Sequence, residues 1–225
     1  MHYPQLPDIT FGALAVNATD WRILADDFLC TQSGPITGIH IWGSWLNDFS
    51  GTPTFTLGIW SDIPKGDPDP TFSHPGNQEW WGIFSPGQYE ERLYAEVPQD
   101  FYDPSQNQVT GTCSLRYQYN FGVDPQEAFT QEKGTVYWLS VETYVPGPNA
   151  YPFGWNTSAD HWNDAAVWGL NLPATPPLVW QELRYPAAQG LDLAFVMVPE
   201  PASGLVLVLG LMRLVGGRRK RMDIA

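Results

Sequence analysis

The segment 53-PTFTLGIW-60 shows a strict alternation of residue types, and this alternation decides the fold class. One side of the segment is apolar and the other is small or polar: Phe55, Leu57 and Ile59 against Thr54, Thr56 and Gly58. A repeat of two gives a β-strand one buried and one exposed face, whereas a helix would repeat every 3.6 residues. The segment therefore predicts a strand with one face against a core.

Three further segments predict strands by the same alternation. They are 113-CSLRYQYNF-121, with Leu115, Tyr117, Tyr119 and Phe121 on one face, 134-GTVYWLSVETY-144, and 191-LDLAFVMV-198, with Leu191, Leu193, Phe195 and Met197 on one face. In the second, Tyr137, Leu139 and Val141 line one side and Val136 and Trp138 the other, which predicts a strand covered on both faces.

Segments rich in Pro, Gly, Asp and Asn separate the predicted strands and predict loops: 61-SDIPKGDPDPTFSHPGNQ-78, 96-EVPQDFYDPSQNQ-108 and 145-VPGPNAYPFG-154. No segment combines a helical period with caps at both ends. Many short strands joined by such loops predict an all-β fold, an antiparallel two-sheet sandwich of jelly-roll-like form. We assign residues 1–197 to this single domain and residues 198–225 to a C-terminal tail.

Charge is distributed unevenly between the body and the tail. The net charge is −13 at pH 7, and residues 1–198 hold six of the 11 basic residues but 22 of the 24 acidic ones. A body of that sign repels a phosphate backbone, so we expect no nucleic-acid partner. Aromatic residues make up 14% of the chain, including 11 tryptophans, which distinguishes this body from a disordered acidic chain.

The two cysteines, Cys30 and Cys113, form no Cys-x-x-Cys motif and no Cys/His cluster with metal spacing. We therefore expect neither a zinc site nor thiol redox chemistry. Two alternatives remain for this pair: one disulfide that closes a long loop, or two buried free thiols.

The C-terminal tail is apolar and ends in a basic cluster. The 16 residues 202–217 contain a single charge, Arg213, and Arg218, Arg219, Lys220 and Arg221 follow directly. As a helix this stretch spans about 24 Å at about 1.5 Å per residue, and snorkelling of Arg213 brings it closer to the ~30 Å core of a bilayer. The basic cluster places the C-terminus in the cytoplasm. A short membrane helix is the prediction, with a last core element or a plain anchor as alternatives.

This tail resembles the PEP-CTERM sorting signal of exported bacterial proteins: Pro199-Glu200-Pro201, a short apolar helix and an Arg-rich terminus, in that order. The resemblance implies recognition at Pro199, Glu200 and Pro201 and processing by exosortase, a membrane-embedded Cys transpeptidase. It further implies transient anchoring in the inner membrane, delivery to the cell surface or extracellular matrix, and an association with exopolysaccharide and biofilm production. Arg213 and the trailing 222-MDIA-225 depart from the pattern.

An exported protein needs a leader, and 1-MHYPQLPDITFGALAVNATDW-21 lacks a basic start and a long apolar region. We expect the true signal peptide to be missing from this sequence. The body resembles a β-sandwich domain of unknown function that recurs in exported PEP-CTERM proteins. The matching stretches are 3-YPQLPDITFG-12, 23-ILADDFLCTQSGPITGIHIWGSWLND-48, 61-SDIP-64 with 73-SHPG-76, 84-FSPGQYEERLY-94, 153-FGWNTSADHWNDAAVWG-169 and 182-ELRYPAAQGLDLAF-195. No activity comes with this resemblance.

The segment 155-WNTSADHWNDAAVW-168 offers candidate ligand contacts: Trp155, Asp160, His161, Trp162 and Asp164. Its oxygen ligands are suited to Ca²⁺ at Asp160 and Asp164, and its tryptophans to stacking on a sugar. A second candidate Ca²⁺ set is Asp62, Asp67 and Asp69. The alternatives are an Asx-rich connecting loop with core tryptophans for the first and a solvated loop for the second. We expect no other cofactor.

Neighbouring carboxylates such as Asp26-Asp27 and Glu90-Glu91 do not by themselves predict a glycosidase. That chemistry needs two carboxyl groups facing each other across a cleft, whereas adjacent strand residues point to opposite faces. We predict no catalytic residues. The leading hypothesis is an exported, non-enzymatic structural or adhesive protein. The alternatives are a carbohydrate-binding module and, third, a hydrolase acting on exopolysaccharide.

Overall fold

The computed structural model describes residues 2–66, 69–147, 151–173, 178–186 and 189–199. Strands make up nearly all of the regular structure in this part of the chain. In chain order they are β1 His2–Gln5, β2 Leu14–Asn17, β3 Arg22–Leu29, β4 Gly34–Trp45, β5 Thr54–Ile63, β6 His74–Phe84, β7 Tyr89–Asp103, β8 Gln108–Gly122, β9 Thr130–Gln131, β10 Val136–Tyr144, β11 Phe153–Ser158, β12 Val167–Leu170, β13 Gln181–Glu182, β14 Asp192–Leu193 and β15 Phe195–Pro199. One short 3-10 turn, Leu46–Asp48, follows β4.

The strands form two sheets. The smaller has the order β13-β12-β3-β10-β5-β6, and the larger has the order β1-β15-β4-β8-β7-β2-β11-β14, with β9 paired to β4. Together they confirm the all-β, two-sheet prediction. The two sheets contain six and nine strands, whereas a jelly roll has two sheets of four strands each, so the fold is not a jelly roll.

The core lies between the sheets and is built from the faces that alternation predicts. Phe55, Leu57 and Ile59 of β5 are buried, and the Phe55 ring packs against Tyr119 of the larger sheet at a centroid distance of 5.0 Å. In β10, both Leu139 and Trp138 are fully buried although they face opposite ways, which confirms a strand covered on both sides.

The three predicted loops are partly wrong. Residues 61–63 belong to β5, residues 74–78 to β6 and residues 153–154 to β11. Residues 96–103 continue β7, although they contain Pro98. The pairing of β7 with β8 shifts register between Leu93 and Ala95 and again between Glu96 and Gln99. Such bulges let a strand pass a proline, which has no N–H for the ladder.

The larger sheet departs from a purely antiparallel arrangement because β2 and β7 pair in parallel. This pairing also closes a ring of strands, since β4 contacts both β8 and β11 while β11, β2, β7 and β8 follow one another in the sheet. Polar side chains meet inside the ring: Gln99 donates to Ser44 Oγ at 2.6 Å, and Asn156 donates to Gln99 at 3.2 Å. These buried polar side chains therefore satisfy one another's hydrogen-bonding groups.

Cys30 and Cys113 are both free and buried, and they pack in different apolar clusters. The structure therefore favours the free-thiol alternative. Burial raises the pKa of Cys113 to about 11 and also raises the pKa of Cys30.

The tail falls largely outside the described residues. Pro199 ends β15, whereas Glu200, Pro201, the predicted membrane segment 202–217 and the basic cluster 218–221 lie beyond them. Within the described residues, no helix has the length and apolar character needed to cross a membrane.

Candidate functional site

The predicted ligand loop, residues 159–166, connects β11 to β12. Asp160, His161, Trp162 and Asp164 lie in this loop, and all four are exposed or partly exposed. Trp155 does not join them. Its side chain is 0% exposed, and its Nε1 donates to the Ala194 carbonyl at 2.7 Å. The prediction that Trp155 contacts a sugar is wrong because its β11 position faces the space between the sheets.

A buried carboxylate that the sequence analysis missed holds this loop. Asp192 of β14 accepts hydrogen bonds from the Trp162 backbone N–H at 2.9 Å and is 2.7 Å from His161 Nδ1. Burial raises the pKa of Asp192, and the bonds from Trp162 and His161 oppose that rise. His161 therefore orders the loop through Asp192, although most of its side chain is exposed.

Asp26 and Asp27 lie on opposite faces of β3, as expected for neighbours in a strand. Asp26 accepts the Leu193 N–H at 2.6 Å on the core side. Asp27 accepts a bond from Asn163 of the loop at 2.6 Å on the other side. Burial raises the pKa of Asp27 to about 8, so at neutral pH its carboxyl group is mostly protonated. Asp26 thus connects β3 to β14, and Asp27 connects β3 to the loop between β11 and β12. The two carboxyl groups do not face a common cleft.

Among the described residues, the predicted calcium ligands do not form a metal-binding cluster. Asp62 accepts a hydrogen bond from Trp138 Nε1 at 2.8 Å, and burial together with the charge of Asp164 raises its pKa. Asp69 is exposed, and Asp67 lies outside the described residues. In the described part of the chain, no group of three or more His, Cys, Asp or Glu side chains could hold a metal ion.

A cleft on the outer face of the smaller sheet was not predicted. It has a volume of about 340 Å³ and is lined by Asp20, Trp21, Thr56, Glu142, Thr143, Tyr144 and Asn171. We call it the Trp21 cleft. Two of its aromatic side chains are well exposed, Trp21 at 48% and Tyr144 at 67%. Exposed rings beside a concave surface are typical of a binding site rather than of a core.

The backbone at Trp21 is strained. Asp20 and Trp21 have φ values of 56° and 68°, and the Arg22 N–H bonds to the Thr19 carbonyl at 3.3 Å, which closes a tight turn. Two successive positive φ values are typical of a turn that prefers Asn-Gly, and a bulky residue there is a true outlier. Strained residues of this kind cluster at active and binding sites. Here the turn holds the indole at the mouth of the cleft.

Polar groups surround the two rings. Asn171 donates its backbone N–H to the Trp21 carbonyl at 2.7 Å and its side-chain amide to Glu142 at 2.8 Å. Burial raises the pKa of Glu142, and the Asn171 bond opposes that rise. The cleft thus combines flat apolar surfaces with fixed acceptors, the composition that suits a ligand bearing hydroxyl groups.

Comparison with known proteins identifies a family. The family described as "Domain of unknown function (DUF7901)" matches residues 1–198, which is most of the chain. The chain belongs to the DUF7901 family. No curated protein and no solved structure matches it.

The sequence of this DUF7901 domain carries little signal for the Trp21 cleft. Its residues come from the β2–β3 turn, β5, β10 and the residue after β12, so no short motif contains them. Asp20-Trp21 lacks the glycine that usually marks such a turn. The one available hint is the short gap between β2 and β3, which requires a tight connection.

Proposed function

We propose that this DUF7901 protein is an exported, non-enzymatic β-sandwich that binds a polysaccharide through the Trp21 cleft. The observation that carries the proposal is the strained turn that holds Trp21 half-exposed in a cleft that Tyr144 also lines. Sugars present apolar C–H faces and polar hydroxyl edges, and the cleft offers rings for the first and Glu142 and Asn171 for the second. Adhesion to a matrix polymer follows from such a site.

Export and sorting are part of the proposal and rest on the tail. Pro199-Glu200-Pro201, the apolar segment 202–217 and the basic cluster resemble an exosortase substrate. The last strand of the domain, β15, ends at Pro199, so the proposed recognition motif begins where the sandwich ends. A flanking pair of prolines disfavours helix and keeps such a motif extended for an enzyme at the membrane surface.

Binding is tested with the full chain in mild detergent against a panel of neutral and acidic polysaccharides in affinity gels. We expect at least one polysaccharide to retard the protein. Trp21→Ala and Tyr144→Ala should each weaken that binding roughly 30-fold, the usual cost of truncating an aromatic anchor. Phe11→Ala is the matched control, because Phe11 is 97% exposed and does not line the cleft. If no polysaccharide in the panel retards the protein, the binding proposal is refuted and a purely structural role remains for the domain.

Sorting is tested by fusing a signal peptide to residues 1–225 in a host that contains exosortase. We expect the mature mass to show loss of the tail. A variant with Ala at positions 199, 200 and 201 should keep the tail and stay in the membrane fraction. Identical mass and location for the two proteins would refute the sorting proposal without affecting the binding proposal.

A further inference from the structure

The outer face of the smaller sheet continues beyond the Trp21 cleft. In β5, Thr56 pairs with Glu142 of β10 on one side and with Ile83 of β6 on the other. Directly paired residues share a face and have Cβ atoms about 5 Å apart. The row from Glu142 through Thr56 to Ile83 is therefore one continuous surface that starts in the cleft.

A second row runs beside the first and contains a tryptophan. Gly58 of β5 pairs with Ser140 of β10 and with Trp81 of β6. Most of this second row is covered. Ser140 is 2% exposed, and the Trp60 indole donates from Nε1 to Ser140 Oγ at 2.8 Å and lies over Gly58, where a Cβ would be 2.8 Å from Trp60 Nε1. The exposed part of the two rows is a shallow shelf made by Thr56, Ile83 and Trp81.

Two large apolar side chains stand exposed on this shelf. Trp81 is 58% exposed and Ile83 is 51% exposed. The other part of the same sheet face differs, because Trp180 covers Trp60 at a centroid distance of 5.9 Å and Trp138 is fully buried. A contiguous exposed apolar surface beside a cleft is typical of a binding surface.

We propose that the Trp21 cleft is one end of an extended site that crosses β10, β5 and β6 and ends at Trp81. We name Trp81, Ile83 and Thr56 the Trp81 shelf. The proposal rests on the proposed function and adds the ligand class: an internal stretch of a neutral, flat, β-1,4-linked polysaccharide. A single sugar ring fills the cleft, whereas a longer chain also reaches the shelf.

Dimensions and charge support this ligand class. Neighbouring strands lie about 4.8 Å apart, so β10 and β6 are separated by about 10 Å, more than one sugar ring. The side chains of one sheet face form a broad, low platform, which fits a ribbon-like chain better than a coiled one. The cleft and the shelf carry Asp20 and Glu142 but no Lys or Arg. A neutral chain meets no charge repulsion there, whereas a polyuronic acid does.

The experiment measures affinity against chain length by calorimetry, with the full chain and with cellobiose, cellotetraose and cellohexaose as probes. We expect cellohexaose to bind at least about 10-fold more tightly than cellobiose. Trp81→Ala should abolish that gain and leave cellobiose binding unchanged. Trp81→Tyr, which keeps a ring, should restore most of the gain, and this pair separates a lost contact from a misfolded β6. Trp21→Ala should weaken binding of all three probes.

Three results would overturn the extended site: no binding of cellohexaose, equal affinity for all three lengths, or no effect of Trp81→Ala on cellohexaose. If the polysaccharide panel still shows a Trp21-dependent ligand, only the extension and its ligand class fail. If no ligand depends on Trp21, the proposed function itself fails.

Discussion

Because the turn at Trp21 is strained, we predict that glycine at this position gives a more stable protein than alanine, the reverse of the usual order. Trp21→Gly and Trp21→Ala both remove the indole, so their difference isolates the backbone. A left-handed conformation costs an alanine about 1 to 2 kcal/mol. Glycine avoids that cost but loses about 0.4 to 1 kcal/mol through the greater freedom of its unfolded chain. At φ 68° the glycine variant should therefore be the more stable of the two, by about 0.5 to 1 kcal/mol.

Trp81 provides the matched control. It is also a half-exposed tryptophan, but it lies in β6 and is not among the described residues with positive φ. Here the alanine variant should be more stable than the glycine variant, because glycine weakens a strand. The two positions therefore predict opposite orders for the same pair of substitutions.

Urea denaturation followed by the fluorescence of the remaining tryptophans measures the difference. With a slope of about 2 kcal/mol per M, the expected shift in midpoint between Trp21→Gly and Trp21→Ala is roughly 0.3 to 0.5 M. The slope should be equal for the two variants. An alanine variant as stable as the glycine variant at position 21 would refute the assignment of strain, and with it the argument that the turn exists to present the indole.

Three further predictions concern the body of the fold. Gly154→Ala should destabilise the protein by about 1 to 3 kcal/mol, because the new Cβ would lie 2.8 Å and 2.9 Å from two buried side chains. Gly122→Ala is the control, because its Cβ would have no neighbour within 4 Å. Equal urea midpoints for the two variants would contradict this prediction. Stability should fall as pH rises from about 4 to about 8, because Asp27 has a pKa of about 8 when folded but titrates near 3.8 when unfolded, so the folded state binds the extra proton in that window. Asp27→Asn should reduce this slope, and an unchanged slope in urea titrations at several pH values would count against it. Cys30 and Cys113 should both resist a thiol reagent in the native protein, and both should react after denaturation. If alkylation under denaturing, non-reducing conditions leaves the mass unchanged, the two cysteines form a disulfide instead.

Local alternation was enough to predict which residues of β5 and β10 face the core, although in β8 it missed Arg116 and Gln118, which are buried on the opposite face. Phe55, Leu57 and Ile59 needed only the strand period of two to be placed correctly, and so did both faces of β10. The tail prediction likewise needed no fold, since apolar length and terminal charge are linear properties of the chain, but it concerns residues outside the described part and stays a prediction. These features share one cause: each depends on neighbours within a few residues.

Pairing between distant segments decided everything else. The parallel contact of β2 with β7, the ring that it helps to close and the proline-containing end of β7 depend on strands far apart in the chain. The same holds for the tryptophans, which look alike in sequence. Trp155 is fully buried because its sheet face meets the second sheet, whereas Trp21 is exposed because a tight turn points it outward beside an uncovered face. Composition supplied the aromatic rings, but only the stacking of the two sheets determined which of them remain free to bind a ligand.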